Sequence, residues 1–408
     1  MSEPRTLLVT LTGRDHPGVT SALFGAMAAY GVEVLDVEQV VIRGRLVLGT
    51  LVTAPADEDG LRAAVDRVAV DQGLDVEVAA GRGDSRPRPS GRVHVNVLGY
   101  PLRPDAMSGL AGLVADCGGN IDRIMRLARY PVTCIEMDVS GAEPTALRAS
   151  LAVGAAELGV DLAVAPAGLH RRAKRLVVLD VDSTLVQGEV IEMLAARAGH
   201  AEEVAQVTAE AMAGELDFAE SLRQRVALLA GLEASVVHEV RADLQLAAGA
   251  RTLVRTLKRL GYQIAIVSGG FTQVTDALAA ELGIHYAAAN TLDVEDGRLT
   301  GRLVGPLLDR AGKADALARF ADEAGVPMGL TVAIGDGAND LDMLTRAGLG
   351  VAFNAKPVVR EAADTSVNVP YLDAILYLLG VTREEVEAAD AEDGPSRPTP
   401  SSPQQGGS

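Results

Sequence analysis

Three apolar runs, each ending in a cluster of small, polar and acidic residues, constrain the fold of this 408-residue chain more than any other feature. Leu176-Val177-Val178-Leu179 runs into Asp180-Val181-Asp182-Ser183-Thr184. Gln263-Ile264-Ala265-Ile266-Val267 runs into Ser268-Gly269-Gly270, and Thr331-Val332-Ala333-Ile334 runs into Gly335-Asp336-Gly337-Ala338-Asn339-Asp340. Such runs lack the alternation of a half-exposed strand and fit strands covered on both faces, as in a parallel α/β sheet. In open α/β sheets ligands bind beyond the carboxyl ends of the strands, where acids meet a ligand instead of filling a core. In isolation, a pair of acids is usually a solvated loop or a helix cap, a serine before glycines is usually a cap, and a lysine is usually a surface residue. Three such strand ends in order, with Lys313 between the second and third, reverse those odds.

The ordered set D-x-D-S-T, S-G-G, Lys and G-D-G-x-N-D resembles the haloacid dehalogenase superfamily of aspartate-nucleophile phosphatases, and within it the phosphoserine phosphatases. All four motifs match without a substitution. The resemblance implies an α/β fold with a Rossmann-like parallel-sheet core and a helical cap of the C1 type. It implies Asp180 as the nucleophile that forms an aspartyl-phosphate, and Asp182 as the general acid and base. Asp180, Asp336 and the backbone carbonyl of Asp182 would bind Mg²⁺. Ser268, Gly269, Lys313 and Asn339 would contact phosphate or substrate, and Asp340 would support the metal or Lys313 from behind. Elementary chemistry agrees with this division of labour. Attack by a carboxylate on a dianionic phosphate adds charge repulsion to an already high barrier, so cations must offset it. Mg²⁺ takes oxygen ligands and is held by one or two carboxylates plus the substrate phosphate.

The segment from about 186 to 250 is too long for a simple crossover and reads as an inserted helical cap, with Ile191, Leu194 and Ala195 on one helical face and Val226, Leu229 and Ala230 on another. Such a lid would exclude water from a phosphoenzyme until the alcohol leaves. O-phospho-L-serine carries an ammonium and a carboxylate, which call for an acid and a bidentate arginine. By the resemblance these are Glu189 and Arg225, with Met212 and Phe218 closing over the substrate. Charged residues on a helix are otherwise most often a solvated face, and apolar ones ordinary packing.

Length alone suggests two to three domains. Before the core, strand, helix, hairpin, helix and strand patterns follow one another from Leu7, with a hairpin around Gly44, and recur from Val93 to Val164 with a hairpin near Tyr130-Pro131. This internal duplication of a ferredoxin-like βαββαβ unit is separated by a Pro-, Gly- and Arg-rich linker at 81–90. Gly13-Arg14-Asp15-His16-Pro17-Gly18, with Asp36 and Gln39 downstream, resembles the ACT domains that bind small amino acids. Asp15 and Gly18 become candidate effector contacts, with Gly109 in the second unit. Asp15 fits equally well as a cap of the helix that opens near Pro17. The second unit lacks D-x-P-G at its equivalent turn, Gly99-Tyr100-Pro101-Leu102-Arg103-Pro104-Asp105. ACT units associate through their sheets, so the resemblance implies a homodimer.

The expected organisation is therefore one ACT domain at 1–82, a second at 91–168, a phosphatase domain at 172–381 and a disordered acidic tail at 382–408. A net charge of -18 and a pI near 4.8 argue against nonspecific binding to nucleic acid or an anionic membrane. Cys117 and Cys134 form no C-x-x-C motif and read as buried free thiols. No signal-peptide core or membrane-length apolar run is present, which fits a cytoplasmic enzyme. The expected activity is hydrolysis of O-phospho-L-serine to L-serine and phosphate, the end of the phosphorylated route of serine synthesis, with serine or another amino acid as effector. Alternatives are a phosphatase for another small phosphomonoester and a non-catalytic amino-acid-sensing regulator.

Overall fold

The computed structural model describes residues 4–83, 92–167, 175–212 and 218–392, with only the backbone of 209–212 and 218. Most of the linker and the end of the acidic tail lie outside the described residues. The chain divides into two compact units, 1–89 and 90–408.

The first unit runs β1 (Arg5–Arg14), α1 (Val19–Ala28), β2 (Val34–Ile42), β3 (Arg45–Thr53), α2 (Glu58–Gln72) and β4 (Leu74–Arg82). Its antiparallel sheet has the order β2-β3-β1-β4. Alternation along β1 turns Leu7, Val9 and Leu11 inward, where they pack with Leu23 and Met27 of α1 and Leu61 and Val65 of α2. Asp57 caps α2 by accepting from the Gly60 N–H at 2.9 Å. The edge strand β2 is exposed along nearly its whole length, with Val34, Val37, Val40, Val41 and Ile42 open to solvent.

The second unit opens with the same order: β5 (Val93–Gly99), α3 (Pro104–Asp116), β6 (Asn120–Ala128), β7 (Thr133–Ser140), α4 (Pro144–Leu158) and β8 (Asp161–Pro166). Its sheet order, β6-β7-β5-β8, is that of the first repeat. Then come β9 (Leu176–Asp180), a π-type turn (Val181–Leu185) and four helices: α5 (Val190–Ala198), α6 (Ala201–Met212), α7 (Phe218–Ala227) and α8 (Ser235–Asp243). The core resumes with α9 (Ala250–Arg259), β10 (Gln263–Phe271), α10 (Thr272–Leu282), β11 (Tyr286–Glu295), β12 (Arg298–Val304), α11 (Arg310–Glu323) and β13 (Thr331–Gly335). It ends with α12 (Leu341–Arg346), β14 (Leu349–Phe353), α13 (Pro357–Ala362), β15 (Thr365–Val367), α14 (Ile375–Leu378) and α15 (Arg383–Glu392).

Seven strands form one sheet in the order β12-β11-β10-β9-β13-β14-β15, parallel except for the β11–β12 hairpin. The second repeat is fastened to this core. The inward face of β5 (Val93, Val95, Val97) packs on α3 and α4, while Leu98 and Cys134 join the core cluster that includes Tyr377. Asn96 donates to the Tyr377 carbonyl at 2.9 Å. Asp161 of β8 accepts from both the backbone N–H and the side-chain amide of Asn368 at 2.6 Å, and Thr365 donates to the Leu162 carbonyl.

The acidic tail needs correction at its start. Instead of disorder from residue 382, Arg383–Glu392 forms α15, with Val386 buried in the core cluster. Asp390 pairs with Arg255 and Arg259 of α9, and Arg383 with Asp373. Composition misleads here because a single valine and one well-placed acid dock a helix that otherwise looks fully solvated.

Candidate active site

Strand register assembles the site. The central strand β9 lies between β10 and β13, with Asp180 opposite Val267 and Leu179 opposite both Ile266 and Ile334. The three polar strand ends therefore open at the same edge of the sheet, on both sides of the point where the chain changes direction across it. Lys313 comes from the first turn of α11, whose N-terminus is capped by Asp309 accepting from the Gly312 N–H at 2.8 Å.

Lys313 is fully buried and donates to Asp180 Oδ1 at 2.6 Å and to Asp340 Oδ1 at 2.7 Å. Burial alone would push its ammonium down, but Asp180 and Asp340 overcome that and hold it above its ordinary value. Burial, with Asp340 and Asp182 adding repulsion, raises the Asp180 carboxyl well above the usual carboxylate range despite Lys313. Asp336 is pushed up to about 6 by burial and by Asp340, against a hydrogen bond from Thr184 Oγ1 at 3.0 Å. Ligand oxygens of Asp180, Asp336 and Asp340 lie within 4.8 Å of one another. One ammonium cannot balance three crowded carboxylates, and the donor set is all oxygen. Both features fit a divalent cation.

Glycine is required in the last motif by space. A Cβ on Gly335 would lie 2.5 Å from the Asp340 carboxyl, and one on Gly337 would lie 2.2 Å from Asn339 Oδ1. The bare backbone also lets Asp340 turn back and accept from the Gly337 N–H at 3.0 Å, which fixes the carboxylate that holds Lys313. Asn339 is half-buried, with its side chain folded over Gly337.

Asp182 points away from Lys313. Its Oδ1 accepts from the Val190 N–H at 2.8 Å, at the start of α5, and its Oδ2 accepts from Ser268 Oγ at 2.9 Å. Ser268 in turn accepts from the Gly270 N–H at 2.7 Å. The intervening turn forces Ser183 to a left-handed φ of 58°, and its hydroxyl donates to Glu189 Oε1 at 3.1 Å. Glu189 is pushed up to about 7 by burial and by Asp182, opposed by that hydrogen bond. Burial lowers Arg225 from its ordinary value, while Glu189, Glu192 and Asp182 pull it back. Its Nε donates to the Ser221 carbonyl at 3.3 Å, so the side chain folds along α7. An acid and an arginine thus share a low-dielectric space beside Asp182.

The backbone of Met212 ends α6 and that of Phe218 begins α7; their side chains lie outside the described residues. In the first repeat Asp15 is exposed and does not cap α1. The N-cap is Gly18, at φ 101° and without a side-chain bond. Gly109 packs within α3 against α4, where a Cβ would lie 2.9 Å from the Leu158 methyls.

Two residues escaped sequence reasoning. Thr184 stands inside a quoted motif, yet its buried hydroxyl orients Asp336. Asn290 is buried in the middle of β11, opposite Phe271 where the pairing with β10 ends; its amide donates to the Gly269 carbonyl at 2.9 Å, and its Oδ1 accepts from the Leu308 N–H at 2.7 Å. It pins the S-G-G turn. The signal was available, because Tyr286-Ala287-Ala288-Ala289-Asn290 is a fourth mostly apolar run ending in a polar residue.

Residues 177–345 match the haloacid dehalogenase-like hydrolases, and residues 5–79 and 92–165 each match an ACT domain. Over 404 residues, 97% of this chain and 98% of the relative, the chain is 63% identical to the phosphoserine phosphatase of Streptomyces coelicolor. The chain belongs to the phosphoserine phosphatase family. It is 55% identical to phosphoserine phosphatase SerB2 of Mycobacterium tuberculosis over 394 residues, 95% of this chain and 96% of the relative. A crystal structure of a probable phosphoserine phosphatase from Vibrio cholerae, in unliganded form, superposes with a TM-score of 0.56 at 35% identity, covering 73% of this chain and 88% of that one. This chain has the expected architecture: a hydrolase core with a parallel sheet, preceded by two ACT domains. Among the described residues no helix is long and apolar enough to cross a membrane.

Proposed function

We propose that this chain is a cytoplasmic, Mg²⁺-dependent enzyme that hydrolyses O-phospho-L-serine to L-serine and phosphate through an aspartyl-phosphate on Asp180. The observation that carries the reading is the pairing of two charge systems. Carboxylates bridged by a buried lysine lie at the strand ends, and an acid and an arginine lie beside them on the cap segment.

Lys313 occupies Asp180 Oδ1, leaving the other carboxylate oxygen for attack on phosphorus. Asp180, Asp336 and the backbone carbonyl of Asp182 would hold Mg²⁺, which when bound neutralises phosphate charge. Asp340 keeps Lys313 in place. Asp182 protonates the departing seryl oxygen as the phosphorus–oxygen bond breaks, then takes a proton from the water that cleaves the acyl phosphate. Its bond to the Val190 N–H ties this acid to the first turn of the cap, so cap position and proton transfer are linked. Ser268, Gly269 and Asn339 receive the phosphate. Glu189 takes the substrate ammonium and Arg225 its carboxylate, with Met212 and Phe218 closing the site.

The N-terminal repeats support regulation by serine or another amino acid, with Asp15 and Gly18 of the first repeat and Gly109 of the second as the contacts. The exposed apolar edge strand β2 supports a homodimer formed through the ACT sheets. The test of substrate is phosphate release from a panel of small phosphomonoesters by wild type and Glu189→Ala. Selective turnover of phosphoserine, lost in the variant, supports the reading. Equal turnover of an ester without an ammonium, unaffected by the variant, would overturn it.

A further inference from the structure

Strand pairing is interrupted where the S-G-G turn forms. β10 and β11 pair at Val267 with Ala288 and again at Phe271 with Asn290, so Ser268, Gly269 and Gly270 stand against the single residue Ala289. A bulge of this kind takes backbone groups out of the ladder, and their hydrogen bonds must come from elsewhere. The peptide between Gly269 and Gly270 is held at both ends by side chains. Its carbonyl accepts from Asn290 Nδ2 at 2.9 Å, and its N–H donates to Ser268 Oγ at 2.7 Å.

Both bonds lead to the site. Ser268 Oγ, accepting from the Gly270 N–H, donates in turn to Asp182 Oδ2 at 2.9 Å. Asn290, the Gly269–Gly270 peptide, the Ser268 hydroxyl and Asp182 therefore form one chain of hydrogen bonds, and a peptide that turned away from Asn290 would withdraw its N–H from Oγ and free the hydroxyl to rotate. In the other direction Asn290 meets Leu308 twice, its Oδ1 accepting from the N–H at 2.7 Å and its Nδ2 donating to the carbonyl at 3.4 Å. The next residue, Asp309, caps α11, and its carbonyl accepts from the Lys313 N–H at 2.9 Å. A buried asparagine costs desolvation that an apolar residue of similar size would avoid. Here its amide joins two segments that each carry a residue of the site.

We propose that Asn290 is a positioning residue for phosphoryl transfer. It fixes the turn that receives the phosphate relative to Lys313, which holds Asp180, and through the Ser268 hydroxyl it orients the proton-transferring carboxyl of Asp182. A small displacement of any of these groups from the reacting atoms is costly, because positioning supplies a large part of the rate in such chemistry. The inference rests on the reading of Ser268 and Gly269 as phosphate contacts and of Asp182 as acid and base.

The experiment combines two readouts on the full chain with Mg²⁺ present: calorimetric affinity for inorganic phosphate, and kcat and KM for phosphoserine. Asn290→Ala is expected to weaken phosphate binding and to lower kcat, each about tenfold to a hundredfold. In a Ser268→Ala background the same substitution should change kcat less than about threefold, because the hydroxyl through which it acts is gone. Asn290→Asp keeps the acceptor for the Leu308 N–H but donates to the Gly269 carbonyl only when its new carboxyl is protonated. Its kcat relative to wild type should therefore be low at about pH 8 and recover toward about pH 5, with no such recovery in Asn290→Ala. If Asn290→Ala does not fold, Asn290→Asp at the two pH values decides. Unchanged phosphate affinity, an equal loss of kcat in both Ser268 backgrounds, or no recovery of Asn290→Asp in acid would overturn the proposal and leave Asn290 a structural residue. A wild type that binds phosphate through Asn290 but does not turn over phosphoserine would overturn the functional reading and support the placing of Asn290.

Discussion

The catalytic strand ends and the turn after β1 both place acids close to the start of a helix, but the two regions are held in opposite ways. Asp180 and Asp340 are buried and share Lys313, and Asp182 spends both oxygens on Val190 and Ser268. Asp15 is exposed, with its backbone N–H rather than its carboxyl tied down, to the Gly44 carbonyl at 2.8 Å. Charges in a low-dielectric interior must be cross-linked or they cost several kcal/mol each, as order-of-magnitude figures. Their positions are consequently determined by the fold before any ligand arrives. An exposed turn carries no such obligation, and its acid is positioned only by what binds.

The sharpest way to break that contrast is to remove the cross-link. Lys313→Met should lower kcat about 10³-fold and unfolding free energy by about 3 kcal/mol, because it leaves two carboxylates facing each other in the core. Denaturant titration and steady-state turnover check this; a variant with wild-type stability would show that the bridge is dispensable.

A smaller effect is expected where the cap meets the core. Glu189, at about 7, is neutral in acid and gains its charge as pH rises, so kcat/KM for phosphoserine should climb through pH 7 as the ammonium finds its partner. In Glu189→Gln that rise should shrink to the part caused by the substrate phosphate, with kcat/KM down about tenfold to a hundredfold at pH 8. An unchanged pH profile would remove Glu189 from the substrate site. At the other extreme, Asp15→Ala should leave melting and effector-free turnover within about 0.5 kcal/mol of wild type, because it touches no buried network. It should show only as weaker serine binding by calorimetry, and loss of activity without serine would contradict the comparison.

The same contrast explains what the sequence reveals. Three of the four motifs were legible because phosphate chemistry needs particular residues at strand ends, and an apolar run followed by small and acidic residues is visible without coordinates; Lys313, in the first turn of α11, was legible only from its place between the second and third. The repeated βαββαβ order was legible from hairpin turns around Gly44 and Tyr130-Pro131. Asn290 was missed because the stretch before it, Ala287-Ala288-Ala289, carries alanines rather than branched residues, and its task, pinning Gly269, depends on a neighbour 21 positions away. The docking of α15 was missed because Arg255 and Arg259, which receive Asp390, lie far back in the chain. The closeness of Gly109 to Leu158 was missed for a similar reason, because it arises only once α3 and α4 pack.

The central claim, that Asp180 is a nucleophile held ready by Lys313, is tested most directly by phosphate release from O-phospho-L-serine in wild type and Asp180→Asn, each with and without Mg²⁺. The account predicts turnover in wild type only when the metal is present, and a loss of about 10⁴-fold or more in the variant at preserved stability. Metal-dependent turnover that survives in Asp180→Asn would contradict it.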